Sequence, residues 1–575
     1  MTAVVLLTAS ARPTAERIAA ALPDAELWGL AGRVDTDHPF TDTVATLRAL
    51  FRAGRPIVGL CAAGILIRAL APLLDDKATE PAVVAVAEDG SAVVPLLGGH
   101  AGGANRLARD IAAVLGMAPS LTTGSDVRLG LALDAPPPGW HIRGDIKPLA
   151  AHLLAGGAID LRVQAGDAGW LRHLPTGDGP MLPVTDCTVD GVALHPPTLA
   201  IGVGAERGVA IEELRDLVDA TLADAGLAPQ SVAALGTLDV KADEAAVLAL
   251  PWPLRLFDAA SLEAQTPRLA NPSETVFAAV GCHGVAEAAA LALAGPEAEL
   301  LVPKRKSARA TCAIARAPRG LPQPLAGRPR GHLAIVGIGP GRADWRTPAA
   351  TAALRDAELA IGYAGYLEQI GDLIGDRAAF GLGEERQRAI AALDAAGAGQ
   401  RVCLVCSGDA GIYAMAALVY ELLDTAPKPA WRTAAIEVIP GVSAAQAAAA
   451  RAGAPLGHDF CCISLSDLLT PWTAIEKRLR AAADADFVIA LYNPASQRRR
   501  QPLTDALAIL RAARAPETPV VVARDVGRPD ETIVVTTLAA LDADTVDMLT
   551  LLIVGASTTR ALAPGWVYTP RGYRA

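Results

Sequence analysis

Short apolar, β-branched runs alternate along most of the chain with Ala/Leu-rich stretches of helical period, the pattern of α/β construction. Residues 4–8, 57–60 and 82–87 read as strands of a first block, 1–134, whose rhythm breaks at Ala135-Pro136-Pro137-Pro138-Gly139. Residues 135–197 are rich in Gly, Pro and Asp and weakly periodic, which predicts a connecting module. The rhythm returns over 198–317, with strands at 199–203 and 232–238 and helices at 211–225 and 285–294. Residues 304–331 carry eight basic residues, no acidic one and four prolines. Their first part, 304–316, alternates like a closing strand, and 318–330 reads as a linker. Over 331–575, strands are predicted at 332–336, 401–406, 435–439, 487–491, 520–523 and 549–554. Serial strand-loop-helix units of this kind predict an open, mostly parallel sheet with its ligand beyond the carboxyl ends of the strands.

Length changes this picture little, since 575 residues suit the several domains already marked out. A chain 52% hydrophobic and 19% charged is not disordered, and 4% aromatic does not suit a stacking platform for single-stranded nucleic acid. The net charge of -10 argues against nucleic-acid or anionic-membrane partners, so an acidic ligand requires a local basic pocket. Only 7 of the 51 basic residues are Lys. No apolar stretch reaches the roughly 18 residues that span a bilayer. The start lacks the charged region of a signal peptide, so a cytoplasmic location is expected. The eight Cys show no disulfide spacing. Cys403 and Cys406 match C-x-x-C inside an apolar run where residues three apart point to opposite faces of a strand, which predicts buried, reduced thiols.

Three strand-end loops carry the candidate chemistry. Gly337-Ile338-Gly339-Pro340-Gly341 precedes a helix that Thr347-Pro348 opens as N-cap and first-turn pair. Arg342 stands where a dinucleotide fingerprint needs its third Gly, which argues against a nicotinamide oxidoreductase. Ser407-Gly408-Asp409-Ala410-Gly411-Ile412-Tyr413 and Pro440-Gly441-Val442-Ser443-Ala444 follow two further strands. Together the loops predict a nucleoside-sized pocket, with glycines letting a ligand approach the backbone and with Asp409 either in the cradle or capping the helix that follows it.

In order and wording these loops resemble the tetrapyrrole methylase family over about 331–573. His458-Asp459-Phe460, the run 463–472, the run 485–494, Asp547-Met548-Leu549-Thr550 and Thr569-Pro570-Arg571-Gly572-Tyr573 are similar to its precorrin-3B C(17)-methyltransferase members. The resemblance implies a two-lobed methylase domain, S-adenosylmethionine as cofactor and a corrin-precursor tetrapyrrole as substrate. It also implies methyl transfer coupled to ring contraction, and a homodimer. The cofactor-binding residues expected on this basis are Gly337, Gly339, Pro340, Gly341, Gly408, Asp409, Ala410, Gly411, Ile412, Pro440, Gly441, Ser443, Ala444, Tyr492 and Asn493. In-line methyl transfer requires orientation and a dry site, so no metal site is expected. His458, Asp459 and Asp467, with Ser464 and Ser466, crowd around an apolar strand and are candidates for steering protons during contraction. Arg498-Arg499-Arg500 is expected to recognise substrate carboxylates.

In the first block, Gly64-Ile65-Leu66-Ile67-Arg68 and Gly98-Gly99-His100-Ala101-Gly102-Gly103-Ala104-Asn105 resemble the amino-terminal part of cobalt-precorrin-5A hydrolase. The runs 238–244 and 285–291 resemble its carboxy-terminal part. The resemblance implies an α/β, multidomain chain, with α/β hydrolase-like amino-terminal and middle domains of that type ahead of the methylase domain. It implies a second activity, opening of a lactone on the contracted ring. His100 as base or oxyanion donor, with Lys241 and Glu244, suits such an acyl cleavage. Ala205 and Glu206 depart from the Cys and basic residue that the resemblance leads one to expect. The alternative is a methyltransferase with a noncatalytic tetrapyrrole-binding amino-terminal module.

Overall fold

A computed structural model describes residues 2–22, 25–36, 38–75, 79–99, 102–122, 128–496, 499–563 and 565–573. The chain forms two compact units, Met1–Gly327 and Arg328–Ala575. Among the described residues no helix is long and apolar enough to cross a membrane.

The first sheet of the first unit runs in spatial order His38–Phe40, Ala25–Leu30, Thr2–Leu6, Ile57–Leu60, Val83–Val86, Val93–Leu97. All pairs are parallel except the last. Alternation along Thr2–Leu6 decides its two faces. Val4 and Leu6 pack with Ile18 and Ile111, whereas Ala3 and Val5 pack with Leu47, Leu66 and Leu70.

Residues 135–197 hold more structure than their composition predicts. His141–Arg143, Ala193–His195, Thr176–Val184 and Ile159–Val163 form a four-stranded sheet over a core that includes Leu149, Leu171, Leu182 and Leu194. Two of its strands have three residues each, too few to show a period of two, and the first six positions of Thr176–Val184 are exposed. The fully buried His195 accepts or donates through Nδ1 at the Thr185 carbonyl (2.7 Å), and its Nε2 has no partner among the described residues. Burial holds this imidazole below its ordinary pKa, against the Thr185 carbonyl, which pulls the other way. Nearby, buried Asp186 takes a bidentate pair from Arg316 (2.6 and 2.8 Å) and a hydroxyl from Thr198 (3.0 Å), tying this module to the next sheet.

That next sheet runs Glu299–Lys306, Ala310–Arg316, Leu199–Ala205, Val232–Leu238, Leu254–Phe257. Its last three strands are parallel, and residues 304–316 belong to the antiparallel hairpin at its edge. The Ala-rich helix Ala286–Ala294 lies directly on Leu199–Ala205. A Cβ at Gly202 would run into the Ala286 carbonyl, so the close approach requires glycine there.

The second unit has two lobes. In the first, Arg377–Phe380, Leu359–Tyr363, Arg401–Cys406, His332–Gly337 and Ala435–Ile439 form an all-parallel sheet. Thr347 caps the helix Pro348–Asp356, its hydroxyl accepting from Ala350 N–H at 3.1 Å. Cys403 and Cys406 lie buried on opposite faces of their strand, and burial pushes their thiols up to about 12 and about 11. The second lobe corrects the expectation of one mostly parallel sheet. Its order is Phe460–Ser464, Val488–Tyr492, Thr550–Val554, Pro519–Arg524, Thr532–Thr537, and only the first pair is parallel. Pro519–Arg524 and Thr532–Thr537 are joined by a short loop with no crossover helix, and such a connection permits only antiparallel pairing.

Candidate functional site

The three glycine-bearing loops of the first lobe cross one another at the strand ends. Gly339 and Gly408 exchange backbone hydrogen bonds at 3.1 and 2.8 Å. A Cβ on Gly337 would lie 2.7 Å from the Gly408 carbonyl oxygen, and one on Gly441 would clash with the same oxygen. These two glycines therefore let the loops meet each other rather than a ligand. Gly408 is different: its φ is +69°, and a Cβ there would have no neighbour closer than 3.8 Å.

Asp409 does not cap the following helix, Met415–Thr425, whose N-cap is Ala414 without a side-chain bond. Its carboxylate accepts from Gly411 N–H (2.8 Å) and from Gly441 N–H (3.0 Å), binding its own loop to the next. Ser443 and Gln446 close a reciprocal capping box at the start of Ala444–Ala452.

Between the lobes these loops enclose a cleft of about 240 Å³. Gly408, Asp409, Ile412, Tyr413, Ser443 and Ala444 line it from the first lobe, and Tyr492, Asn493, Asp525, Arg528, Met548 and Thr550 from the second. Of the four described non-glycine residues with positive φ, three lie here: Tyr413 (51°), Asn493 (49°) and Asp525 (49°). Strain of this kind persists only where neighbours over-determine the backbone. Tyr413 OH donates to the Cys462 carbonyl (2.8 Å), Asn493 Nδ2 donates to Ser464 Oγ (3.1 Å), and Asp525 pairs with Arg524 (2.8 Å) and Arg528 (3.6 Å). Tyr492 OH accepts from Ala445 N–H (3.1 Å), and its ring centroid lies 5.2 Å from that of Tyr413. Burial pushes the phenols of Tyr366, Tyr413 and Tyr492 above their ordinary pKa, so the cleft presents neutral hydroxyls.

Residues 332–542 match the family model of Tetrapyrrole (Corrin/Porphyrin) Methylases. Over 250 residues the chain is 47% identical to the precorrin-3B C(17)-methyltransferase of Sinorhizobium sp., spanning 42% of this chain and 97% of that one. The chain belongs to the tetrapyrrole methylase family. It is also 46% identical over 243 residues to a probable cobalt-factor III C(17)-methyltransferase of Salmonella typhimurium, covering 42% of this chain and 99% of the relative. A solved structure of the methyltransferase CobJ is 43% identical, covers 42% of this chain and 100% of its own, and gives a TM-score of 0.40. Ahead of the methylase region, residues 45–126 and 199–315 match the models Cobalamin synthesis G N-terminal and Cobalamin synthesis G C-terminus.

Of the residues expected to hold the methylase cofactor, Pro340, Gly408, Asp409, Ile412, Ser443, Ala444, Tyr492 and Asn493 line the cleft. Gly337, Gly339, Gly341, Ala410, Gly411, Pro440 and Gly441 belong to the same loops but are not among the lining residues. His458 and Asp459 are exposed neighbours outside the lining, with Asp459 N–H donating to His458 Nδ1 at 2.8 Å. Asp467 also lies outside it, 3.7 Å from Arg499. Of the Arg triplet expected to recognise substrate carboxylates, Arg499 is turned to backbone carbonyls of its own lobe. Arg499 is nearly buried and donates to the carbonyls of Leu465 (2.6 Å) and Asn493 (2.9 Å), which makes it a brace for the strained Asn493. Arg500 faces Asp544 at 3.6 Å, and Arg498 lies outside the described residues. Sequence reasoning gave no site role to Tyr366, Asp525 and Arg528, nor to Met548, although Met548 lies in one of the quoted family-like runs. The strand at 520–523 was predicted, and the loop following it is where the carboxyl-end rule points.

In the first unit His100 lies outside the described residues. Lys241 lines a second cleft of about 500 Å³ at the carboxyl ends of Leu199–Ala205 and Val232–Leu238. Glu244 does not line it. That carboxylate is buried and accepts from Gly208 N–H at 3.1 and 3.2 Å. Ala205 and Glu206, the two departures from the hydrolase pattern, both line the cleft.

Proposed function

We propose that the second unit transfers a methyl group from S-adenosylmethionine to ring carbon 17 of precorrin-3B or its cobalt counterpart, with contraction of the ring. The first unit hydrolyses a lactone on the contracted macrocycle, so that one chain carries two steps of cobalamin biosynthesis. The single observation that carries this reading is the inter-lobe cleft, in a region 47% identical to a precorrin-3B C(17)-methyltransferase over nearly that protein's whole length. S-adenosylmethionine supplies an electrophilic methyl on a sulfonium. The residues present fit such a group: the open face of Gly408 and the rings of Tyr413 and Tyr492 suit a nucleoside that bears a positive charge. The chain's part is to hold donor and macrocycle in line and to exclude water. We place the protein in the cytoplasm as a homodimer.

Incubating the full chain with labelled S-adenosylmethionine and either precorrin-3B or its cobalt form tests the reading by mass spectrometry. One added methyl on a contracted ring is the expected product, and acetaldehyde release from a contracted lactone substrate reports the second step. Absence of methylated product with both substrates overturns the proposal.

A further inference from the structure

The cleft of the first unit has a composition that the rest of the chain does not share. Three of the seven lysines, Lys241, Lys304 and Lys306, line it. Val276, Val280 and Val285 give it an apolar wall. It opens at the carboxyl ends of two parallel strands, the position where α/β sheets place ligands.

No carboxylate among the described residues pairs directly with these ammonium groups, although Glu244, Asp243 and Glu206 act on Lys241, and Glu287 on Lys304, from farther off. Lys304 Nζ donates to the neutral Asn271 carbonyl at 2.8 Å, and Lys241 and Lys306 make no side-chain hydrogen bond or ion pair. Of the two buried acids nearby, Glu244 is held by Gly208 N–H and Glu287 is also committed. It accepts from the backbone N–H groups of Ala270, Asn271 and Lys304 and from Asn271 Nδ2, all within 3.0 Å. Glu206, on the rim, is held by Arg309 at 3.0 Å. Burial pulls Lys241 and Lys304 below the ordinary amine value, so their charge is carried at a cost that a bound anion would relieve.

We propose that this cleft binds the carboxylate-bearing edge of a macrocyclic polycarboxylate, its anions meeting Lys241, Lys304 and Lys306 and its apolar body lying on Val276, Val280 and Val285. The proposal deepens the reading of the first unit as one that acts on a corrin precursor, and it rests on that reading.

The test uses the full chain and uroporphyrin III, an octacarboxylate tetrapyrrole, followed by fluorescence at low and moderate ionic strength. Changing Lys304→Gln together with Lys306→Gln is expected to weaken one class of binding site about tenfold, because each replacement removes a charge-assisted contact. Methyl transfer stays at the wild-type rate, and the Lys304→Arg, Lys306→Arg protein, which keeps the charge, retains affinity. Added inorganic phosphate in the millimolar range should not displace the probe, since a single small anion lacks the apolar body. Unchanged affinity in the double Gln variant, or displacement by phosphate alone, overturns the proposal. Should acetaldehyde release from a contracted lactone substrate be absent while the lysine-dependent site persists, the proposed lactone hydrolysis fails and the cleft assignment stands.

Discussion

Gly408 and Gly441 sit in neighbouring loops and are predicted to fail in different ways when given a side chain. In Gly441→Ala the new methyl strikes the carbonyls of Gly408 and Gly337. Overpacking of this kind costs about 1–3 kcal/mol, and calorimetry should show a lower Tm for the second unit. Gly408→Ala meets open space but holds a φ of +69°, a strain of roughly 1–2 kcal/mol, and its methyl projects into the cleft. Titration calorimetry should therefore find weaker S-adenosylmethionine binding in a protein that still folds. Equal Tm losses with unchanged affinity would contradict the assignment of the two roles. His195 makes a second prediction at this scale. Its folded pKa lies below the unfolded value of about 6.5, so as pH falls through that value the unfolded chain takes up a proton first. Stability present above that value is lost as the pH falls below it. Denaturant titration of His195→Gln should show this acid-side loss reduced relative to wild type.

At the scale of elements, the Ala-rich helix Ala286–Ala294 depends on Gly202. Gly202→Ala would push helix and strand apart and cost about 1–3 kcal/mol. The measurement is urea unfolding of the first unit, with the unfolding of the second unit left in place as an internal standard. Elements with long apolar runs, such as Arg401–Cys406 and Val232–Leu238, were legible because their own residues decide them. The sheet over 135–197 was not, since its short strands are fixed by partners far along the chain. The direction of pairing in the second lobe was equally hidden, because an apolar run does not specify whether its neighbour runs parallel. The site divides in the same way. Strand-end glycines announced where the cleft would be. That Asp409 ties down Gly441 and that Arg499 braces Asn493 depend on which loop packs beside which, and a single sequence does not carry that information.

At the scale of the whole molecule, each unit has cores built from its own residues. We expect residues 328–575, expressed alone, to fold cooperatively and bind S-adenosylmethionine with the affinity of the full chain. Calorimetry of the fragment checks both claims, and a soluble fragment without a thermal transition would defeat the first. A ligand at a hundred times its Kd adds about 2.7 kcal/mol to the unit that binds it, so in the full chain one transition should move and the other should not. The cysteines offer a simpler readout. Cys282, Cys312, Cys403 and Cys406 are buried, and Cys61, Cys187, Cys461 and Cys462 are only partly covered. A thiol-counting reagent added to the native protein should therefore stop at four groups or fewer and reach eight only when both units have opened. The opposed faces of Cys403 and Cys406 also keep oxidants from joining them, so the count itself serves as a gauge of how much of the chain is folded.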